Sequence, residues 1–283
     1  MATEARNSRS YGLDKMSAEQ IVRLMNEEEQ VVFRVVSQAE PDIAKAVERA
    51  AKAFQQGGRV IYIGSGTSGR IAMMDAAEMP PTFGIPADRF VALVSGGEAA
   101  GDRAFEDAED DPHAAITALN KLNITRYDIV VGLAASGATP FAVSGVRHAS
   151  QKGVWTCGIA NNKNSTLLHE ADLGILLDTG PEVLTGSTRL KAATAQKLVL
   201  NRISTGAMVL SGKVVENLMV DVKAKNGKLK ERCVRIVIEL CPVTADEARE
   251  LLEQNDWRIR DVVEAVRARA VQTAQPAATW SGQ

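Results

Sequence analysis

Apolar positions change rhythm twice along this chain. Over the first fifty residues they recur at helical spacing: Ile21, Val22, Leu24 and Met25 form a stripe that resumes at Val32, Val35 and Val36. Ser17-Ala-Glu-Gln20 has the form of a capping box, which predicts a helix start there. A second helix is expected from Asp42 to Phe54, ended by Gly57-Gly58. From Arg59 the rhythm becomes short apolar runs: Val60 to Ile63, Phe90 to Val94, Asp128 to Leu133, Val154 to Ile159 and Leu173 to Leu177. Runs of this length read as strands buried on both faces. Helical stretches fall between most of them, at Arg70 to Ala77, Ala104 to Leu122 and Pro140 to Gln151. Such alternation predicts an α/β fold, a doubly wound five-stranded parallel sheet with flanking helices.

Helices then return. Ser187 to Leu210 and Asn217 to Leu240 are long and amphipathic. After Pro242, Thr244-Ala-Asp-Glu247 repeats the capping-box form, and Asp256 is expected to open one more helix carrying Ile259, Val262, Val263 and Val266. The division expected is N-terminal helices over 1–56 packing on the core, a sheet domain over 57–222, a small helical module over 223–271 and a disordered Ala/Gln/Pro tail over 272–283.

Composition narrows the function classes. The 283 residues carry 33 Lys+Arg against 35 Asp+Glu, a net charge of -2, so a general nucleic-acid binder is disfavoured. Aromatic residues are only 4%, too few for base-stacking platforms. The chain shows no secretory signal and no apolar run long enough for a membrane span, so a cytoplasmic protein with no membrane partner is expected. Cys157, Cys233 and Cys241 are scattered without a C-x-x-C, and His113, His148 and His169 are spread apart, so neither disulfides nor a metal site is expected.

In an open parallel sheet, ligands bind beyond the carboxyl ends of the strands. The first strand runs into Gly64-Ser65-Gly66-Thr67-Ser68-Gly69-Arg70, formally G-x-G-x-x-G. A dinucleotide site would need an acidic residue roughly 20 positions on, and the second strand ends later, at Ser95-Gly96-Gly97-Glu98. Hydroxyls and amides at a helix N-terminus suit a phosphate monoester better; a plain tight turn is the other reading. The third strand ends alike, in Ala134-Ala135-Ser136-Gly137-Ala138-Thr139-Pro140, and Thr185-Gly186-Ser187-Thr188 precedes Arg189 and Lys191 at the long helix. Three hydroxyl clusters in one sheet frame point to a phosphorylated sugar, or alternatively to three ordinary helix caps. Ser68, Ser136 and Thr139 are expected to contact the phosphate. Glu78 is expected at the C-terminal end of the first crossover helix, against its dipole and fixed by Pro80-Pro81. Glu109, in Glu106-Asp-Ala-Glu109-Asp110-Asp111-Pro112, fits a solvated acidic face as well as a working carboxylate.

Together these segments, with Asp75-Ala-Ala-Glu78-Met-Pro80-Pro81-Thr-Phe-Gly84, Glu182-Val-Leu-Thr-Gly-Ser-Thr-Arg-Leu-Lys191 and Thr194-Ala-Gln-Lys-Leu-Val-Leu-Asn201, resemble the N-acetylmuramic acid 6-phosphate etherases from about Asn7 to Val222. That resemblance implies a sugar isomerase (SIS) domain with a small C-terminal UBA-like module, and a homodimer. It implies cleavage of the lactyl ether of N-acetylmuramic acid 6-phosphate by water, a carbon–oxygen lyase activity in cell-wall amino-sugar recycling that needs no cofactor. Glu78 falls on the family's proton donor and Glu109 on its second acid/base. Ser65, Gly66, Thr67, Ser68, Ser136, Gly137, Thr139, Ser187 and Lys191 are the substrate-binding candidates. Ala138, Phe141 and Ala193 stand where the family commonly has Arg, Tyr and Gly. The related glucokinase regulatory protein supplies the alternative, a non-catalytic sugar-phosphate-binding regulator; a phosphosugar isomerase is the third, although no histidine follows a strand. A homodimer is also expected from the long helix, whose Leu190, Ala193, Leu198, Val199, Ile203, Met208 and Val209 spread over more than one face, unless the N-terminal helices cover the second face.

Overall fold

A computed structural model describes residues 1–97, 106–224 and 226–274. It divides into two compact units, Met1–Met79 with Pro86–Ser211 and Pro80–Ile85 with Gly212 onward.

The first unit is built on five parallel strands, β1 (Val60–Gly64), β2 (Phe90–Val94), β3 (Ile129–Ala134), β4 (Trp155–Ala160) and β5 (Leu173–Leu176), in the order β2-β1-β3-β4-β5. β1 and β3 are wholly buried, which explains their unbroken apolar runs, whereas the outer strands β2 and β5 are partly exposed. On one face, Ile61 and Ile63 pack with α4 (Pro112–Lys121) and α5 (Pro140–Gln151) through Ala115, Leu119, Phe141 and Val146. α2 (Glu40–Gln55) packs on β1, β3 and β5, and α7 (Lys191–Leu210) packs on α2 and on α1 (Ala18–Gln38). The buried side of α7 includes Val199, Leu200, Ile203 and Met208. Ala193, Val199, Ile203 and Met208 are thus buried within the chain, whereas Leu190 and Leu198 are half-buried and Val209 is exposed.

Several boundaries differ from expectation, each for a local reason. The helix after β1, α3 (Gly66–Phe83), does not stop at Ala77 but runs through Pro80 and Pro81. Prolines donate no N–H, so the Ala76 and Ala77 carbonyls lose their helical donors without the helix ending. The stretch expected as one helix from Ala104 is instead a 3₁₀ turn, Glu106–Asp110, and then α4, because the Asp111 side chain accepts from His113 N (2.8 Å) and Ala114 N (3.3 Å) and Pro112 takes the first helical position. Ala104 and Glu98 lie outside the described residues. α7 starts at Lys191 rather than Ser187, and a short α6 (Thr166–Glu170) follows β4.

The second unit contains α8 (Gly227–Leu240), α9 (Ala245–Gln254) and α10 (Ile259–Ala274), closed over Cys233, Val237, Ala248, Leu252, Ile259 and Val262. α8 begins at Gly227 rather than Asn217 because the Asn226 side chain caps it through Leu229 N, 2.9 Å. Asp256 does not open α10: it and Trp257 sit at φ 51° and 58°, which breaks the chain before the helix. The expected disordered tail from Gln272 begins inside α10, and 275–283 lie outside the described residues. Among the described residues no helix is long and apolar enough to cross a membrane.

The Gly57-Gly58 pair between α2 and β1 does two different things. Gly57 has φ 85°, and a Cβ there would meet nothing within 4 Å. A Cβ on Gly58 would lie 1.9 Å from the Tyr127 carbonyl oxygen, backbone that packs beside the start of β3. We expect Gly57→Ala to lower unfolding free energy by about 1–2 kcal/mol, the left-handed cost alone. Gly58→Ala should cost more than about 3 kcal/mol, because backbone must move. Urea unfolding of the two variants checks this; equal midpoints would refute it.

Candidate active site

β1 is flanked by β2 on one side and β3 on the other, so the chain reverses direction across the sheet between β1 and β3. The carboxyl ends of these two strands are neighbours, with Gly64 in register with Leu133. This is the crevice where open parallel sheets bind ligands, and both hydroxyl-rich loops open into helices there.

After β1, Ser65 is buried and Gly66 enters α3 with φ 53°. The first helical hydrogen bond runs from Gly69 N to Ser65 O (3.2 Å), so the amides of Gly66, Thr67 and Ser68 precede it. A Cβ on Gly69 would lie 2.8 Å from the Gly64 carbonyl oxygen, so the turn closes only with glycine. Gly66 is exposed, Thr67 half-buried and Ser68 buried. After β3, the Ser136 hydroxyl accepts from Ala138 N at 3.1 Å and lies 3.4 Å from the Thr139 hydroxyl. Gly137 holds φ 67° and has Ser165 against its Cα, where a Cβ would come within 2.3 Å of the Ser165 side chain. Ser136 and Thr139 are therefore brought together at the neighbouring strand ends.

Ser187 and Lys191 have a different setting. The carboxylate of fully buried Glu182 accepts from Lys191 N (3.3 Å) and Ala192 N (2.9 Å), which caps α7 from nine residues upstream and explains its late start. Burial pushes the Glu182 carboxyl up, only partly offset by those amides and by the Lys191 charge. Ser187, half-buried, lies in the turn ahead of this cap, its N–H on Leu184 O at 2.9 Å. The Lys191 ammonium is itself buried and donates to Glu28 of α1 at 2.6 Å. Glu28 also accepts from Asn7 (2.7 Å) and Arg9 (2.9 Å). Burial raises the Glu28 carboxyl, but Lys191, Asn7 and Arg9 outweigh it and hold it below the usual carboxylate range.

Glu78 lies on α3, five residues before Phe83, with its side chain exposed; Glu109 lies exposed in the 3₁₀ turn that packs against α5. Glu78 is thus inside the helix rather than at its end. Asp75, one turn earlier, is a residue that pattern reading passed over. Its buried carboxylate accepts from Tyr62 Oη (2.9 Å), Asn201 Nδ2 (2.7 Å) and Ser204 Oγ (3.0 Å), joining α3 to β1 and α7. Burial raises this carboxyl despite those three donors. Asn161, Asn162 and Gln196 were missed too. Asn162 donates to Ala135 O at 2.9 Å beside the β3 loop, and Asn161 meets Gln196 inside the unit. Only the Asn161-Asn162 doublet after the fourth strand hinted at this. Among the described residues no group of three His, Cys, Asp or Glu could hold a metal.

The glucokinase regulatory protein N-terminal SIS domain family matches residues 42–149, and the SIS domain family matches residues 111–202. The N-acetylmuramic acid 6-phosphate etherase of Salmonella typhi is 47% identical over 263 residues, covering 93% of this chain and 89% of that protein. The same-named protein of Salmonella typhimurium is 46% identical over equal shares. Among solved structures, a candidate phosphosugar isomerase of capsule formation from Bacteroides fragilis aligns at TM-score 0.56 and 23% identity over 74% of this chain and 97% of its own. A phosphoheptose isomerase from Francisella tularensis aligns at TM-score 0.51 and 16% identity over 70% and 100%. Both share the fold, a five-stranded SIS sheet flanked by helices. With a strand-end crevice of hydroxyls and amides, and near-half identity across nine-tenths of its length, this chain belongs to the N-acetylmuramic acid 6-phosphate etherase family.

Proposed function

We propose that this protein cleaves the D-lactyl ether of N-acetylmuramic acid 6-phosphate with water, giving N-acetylglucosamine 6-phosphate and D-lactate. The observation that carries the reading is the 47% identity spanning 93% of the chain. The strand-end crevice supports it, since two hydroxyl-bearing loops face one another where a phosphate and its sugar would lie.

The chemistry divides into elimination and hydration. In the open-chain sugar the aldehyde at carbon 1 acidifies the proton on carbon 2. A carboxylate takes that proton, the carbon 3–oxygen bond breaks, and a carboxylic acid delivers a proton to the departing lactate oxygen. Water then adds to carbon 3 of the unsaturated aldehyde and a proton returns to carbon 2. One water is consumed and one ether is cut overall, but the carbon 3–oxygen bond breaks by elimination and water adds to the resulting double bond, so the enzyme class is a carbon–oxygen lyase. Glu78 is assigned as the acid and Glu109 as the base. Two such proton transfers contribute roughly 10²–10⁴-fold each. The hydroxyls of Ser68, Ser136 and Thr139 and the α3 amides are assigned to the phosphate, with Ser65, Gly66, Thr67, Gly137 and Ser187 around the sugar. Lys191, held by Glu28, is assigned to fixing the start of α7 beside Ser187. Action in the cytoplasm goes with this reading.

The match to the glucokinase regulatory protein SIS domain favours one other reading, a sugar-phosphate-binding regulator without catalysis. Release of D-lactate from N-acetylmuramic acid 6-phosphate decides between them; binding without lactate selects the regulator.

Three results are expected. Glu78→Gln should abolish lactate release, by at least about 10²-fold, while carbon-2 proton exchange with solvent persists. Loss of both would reverse the two carboxylate roles. Ser136→Ala should weaken sugar-phosphate binding by about 1.5–3 kcal/mol, the usual worth of one hydrogen bond to a charged group. Calorimetric titration measures it, and an unchanged affinity would remove Ser136 from the phosphate site. A homodimer rests on the family resemblance and on Val209 of α7, which α1 and α2 leave exposed. Sedimentation at micromolar concentration should give twice the chain mass, and a single monomer species would end that proposal.

A further inference from the structure

We propose that Asp75 is a positioning residue for Glu78: its hydrogen bonds to β1 and α7 fix the turn of α3 from which Glu78 reaches the departing lactate oxygen. This rests on the etherase reading above, with Glu78 as the acid, and adds to it a residue that touches no substrate.

Nothing but α3 itself places Glu78. The Glu78 side chain is exposed, and among the described residues it makes no hydrogen bond or ion pair. Its carboxyl therefore goes wherever the helix backbone carries it. That backbone is weakened at this point. Pro80 and Pro81 lie inside the helix and donate no N–H, so the Ala76 and Ala77 carbonyls, immediately before Glu78, lose their helical donors. The first turn of α3 is fastened locally, by the Gly69 N to Ser65 O bond and the close approach of Gly64 and Gly69. The turn that carries Glu78 needs a fastening from elsewhere.

Asp75 supplies it. It precedes Glu78 by three residues, so the two stand on one turn of the helix, Asp75 buried and Glu78 exposed. Asp75 Oδ2 accepts from Tyr62 Oη of β1 at 2.9 Å. Its Oδ1 accepts from Asn201 Nδ2 at 2.7 Å and from Ser204 Oγ at 3.0 Å, both of α7. Bonds to a strand and to a second helix fix the rotation of α3 about its axis as well as its position along it. A small rotation there would swing Glu78 off the ether oxygen, and a misplacement of about 1 Å can cost about 10²-fold in rate.

A buried carboxylate also acts through its charge, and asparagine separates the two roles. Asn at this position keeps an Oδ1 for Asn201 and Ser204. Its NH₂ donates to Tyr62 Oη, which turns from donor to acceptor. Every contact survives and the charge does not.

The full chain offers three readouts: lactate release from N-acetylmuramic acid 6-phosphate, solvent exchange of the carbon-2 proton of N-acetylglucosamine 6-phosphate, and calorimetric affinity for that product. Asp75→Ala should lower kcat for lactate release by about 10- to 100-fold. Carbon-2 exchange, assigned to Glu109 outside α3, and the affinity, assigned to the strand-end loops, should stay near wild type. Asp75→Asn should restore lactate release. Parallel losses in all three readouts would show a merely structural role, and Asp75→Asn as impaired as Asp75→Ala would show a role for the charge; either overturns the inference. If Asp75→Ala does not fold, Ser204→Ala decides. It removes one bond and should slow lactate release alone, by about three- to tenfold; unchanged release overturns the inference. Lactate release lost in Glu78→Gln but kept in Asp75→Ala would sink the role of Asp75 and spare that of Glu78. A wild-type chain that releases no lactate removes the etherase reading beneath both.

Discussion

A carboxylate taken out of water must be met by donors, and the way Asp75 is met organises the sheet unit. Tyr62 brings β1, and Asn201 and Ser204 bring α7, to one residue of α3. Burial opposes the charge, and three neutral hydrogen bonds together with the weaker pull of the Lys197 charge offset it only in part. Removing any one would leave the others around an under-satisfied anion, which costs more than the bond itself. The strand that ends in the first hydroxyl loop, the helix that carries Glu78 and the helix that carries Gln196 are thereby fixed against one another.

A second buried charge does comparable work at the start of α7. Lys191 reaches Glu28 of α1, and Glu28 also draws in Asn7 and Arg9 from the N-terminal segment. Desolvating two such groups is tolerable only because the pair is in contact and its remaining oxygens are hydrogen-bonded. The N-terminal residues thus reach the strand ends both through α7 and directly, since Thr3 exchanges hydrogen bonds with Asn162 beside the β3 loop. Lys191, a substrate-binding candidate from its place beside Thr185–Thr188, has its ammonium on Glu28 in this pair.

These two networks mark where sequence reading works and where it fails. The five strands were legible because each is a short apolar run bounded by glycine or polar residues, and β2 was placed to the residue at Phe90–Val94. The capping boxes at Ser17 and Thr244 were legible because cap and partner lie three residues apart. The start of α7 was not, because its cap is Glu182, nine residues upstream across a turn. Nor was α3 past Ala77, where two prolines read locally as a stop and the helix continues regardless. At the site, the hydroxyl loops could be found by motif, but the residues they bond to are far off in sequence: Gln196, which accepts from the Ser68 hydroxyl, lies 128 residues away. Hydrogen-bond polarity is a property of such pairs, and a linear pattern does not carry it.

The pairing of β1 with β3 also has a kinetic meaning. The two strands are clamped at their amino ends by Arg59 and Asp128, whose side chains meet at 2.8 Å although 69 residues separate them. Everything between, including β2 and α4, must be looped out before that contact forms, and loop-closure entropy is spent before any native contact rewards it. The crevice exists only between the far ends of this same strand pair. No partly folded species lacking the β1–β3 ladder can therefore hold a ligand there. A sugar phosphate that binds the crevice recognises the finished sheet alone, and it stabilises the native state by RT ln(1 + [L]/Kd), growing with its concentration.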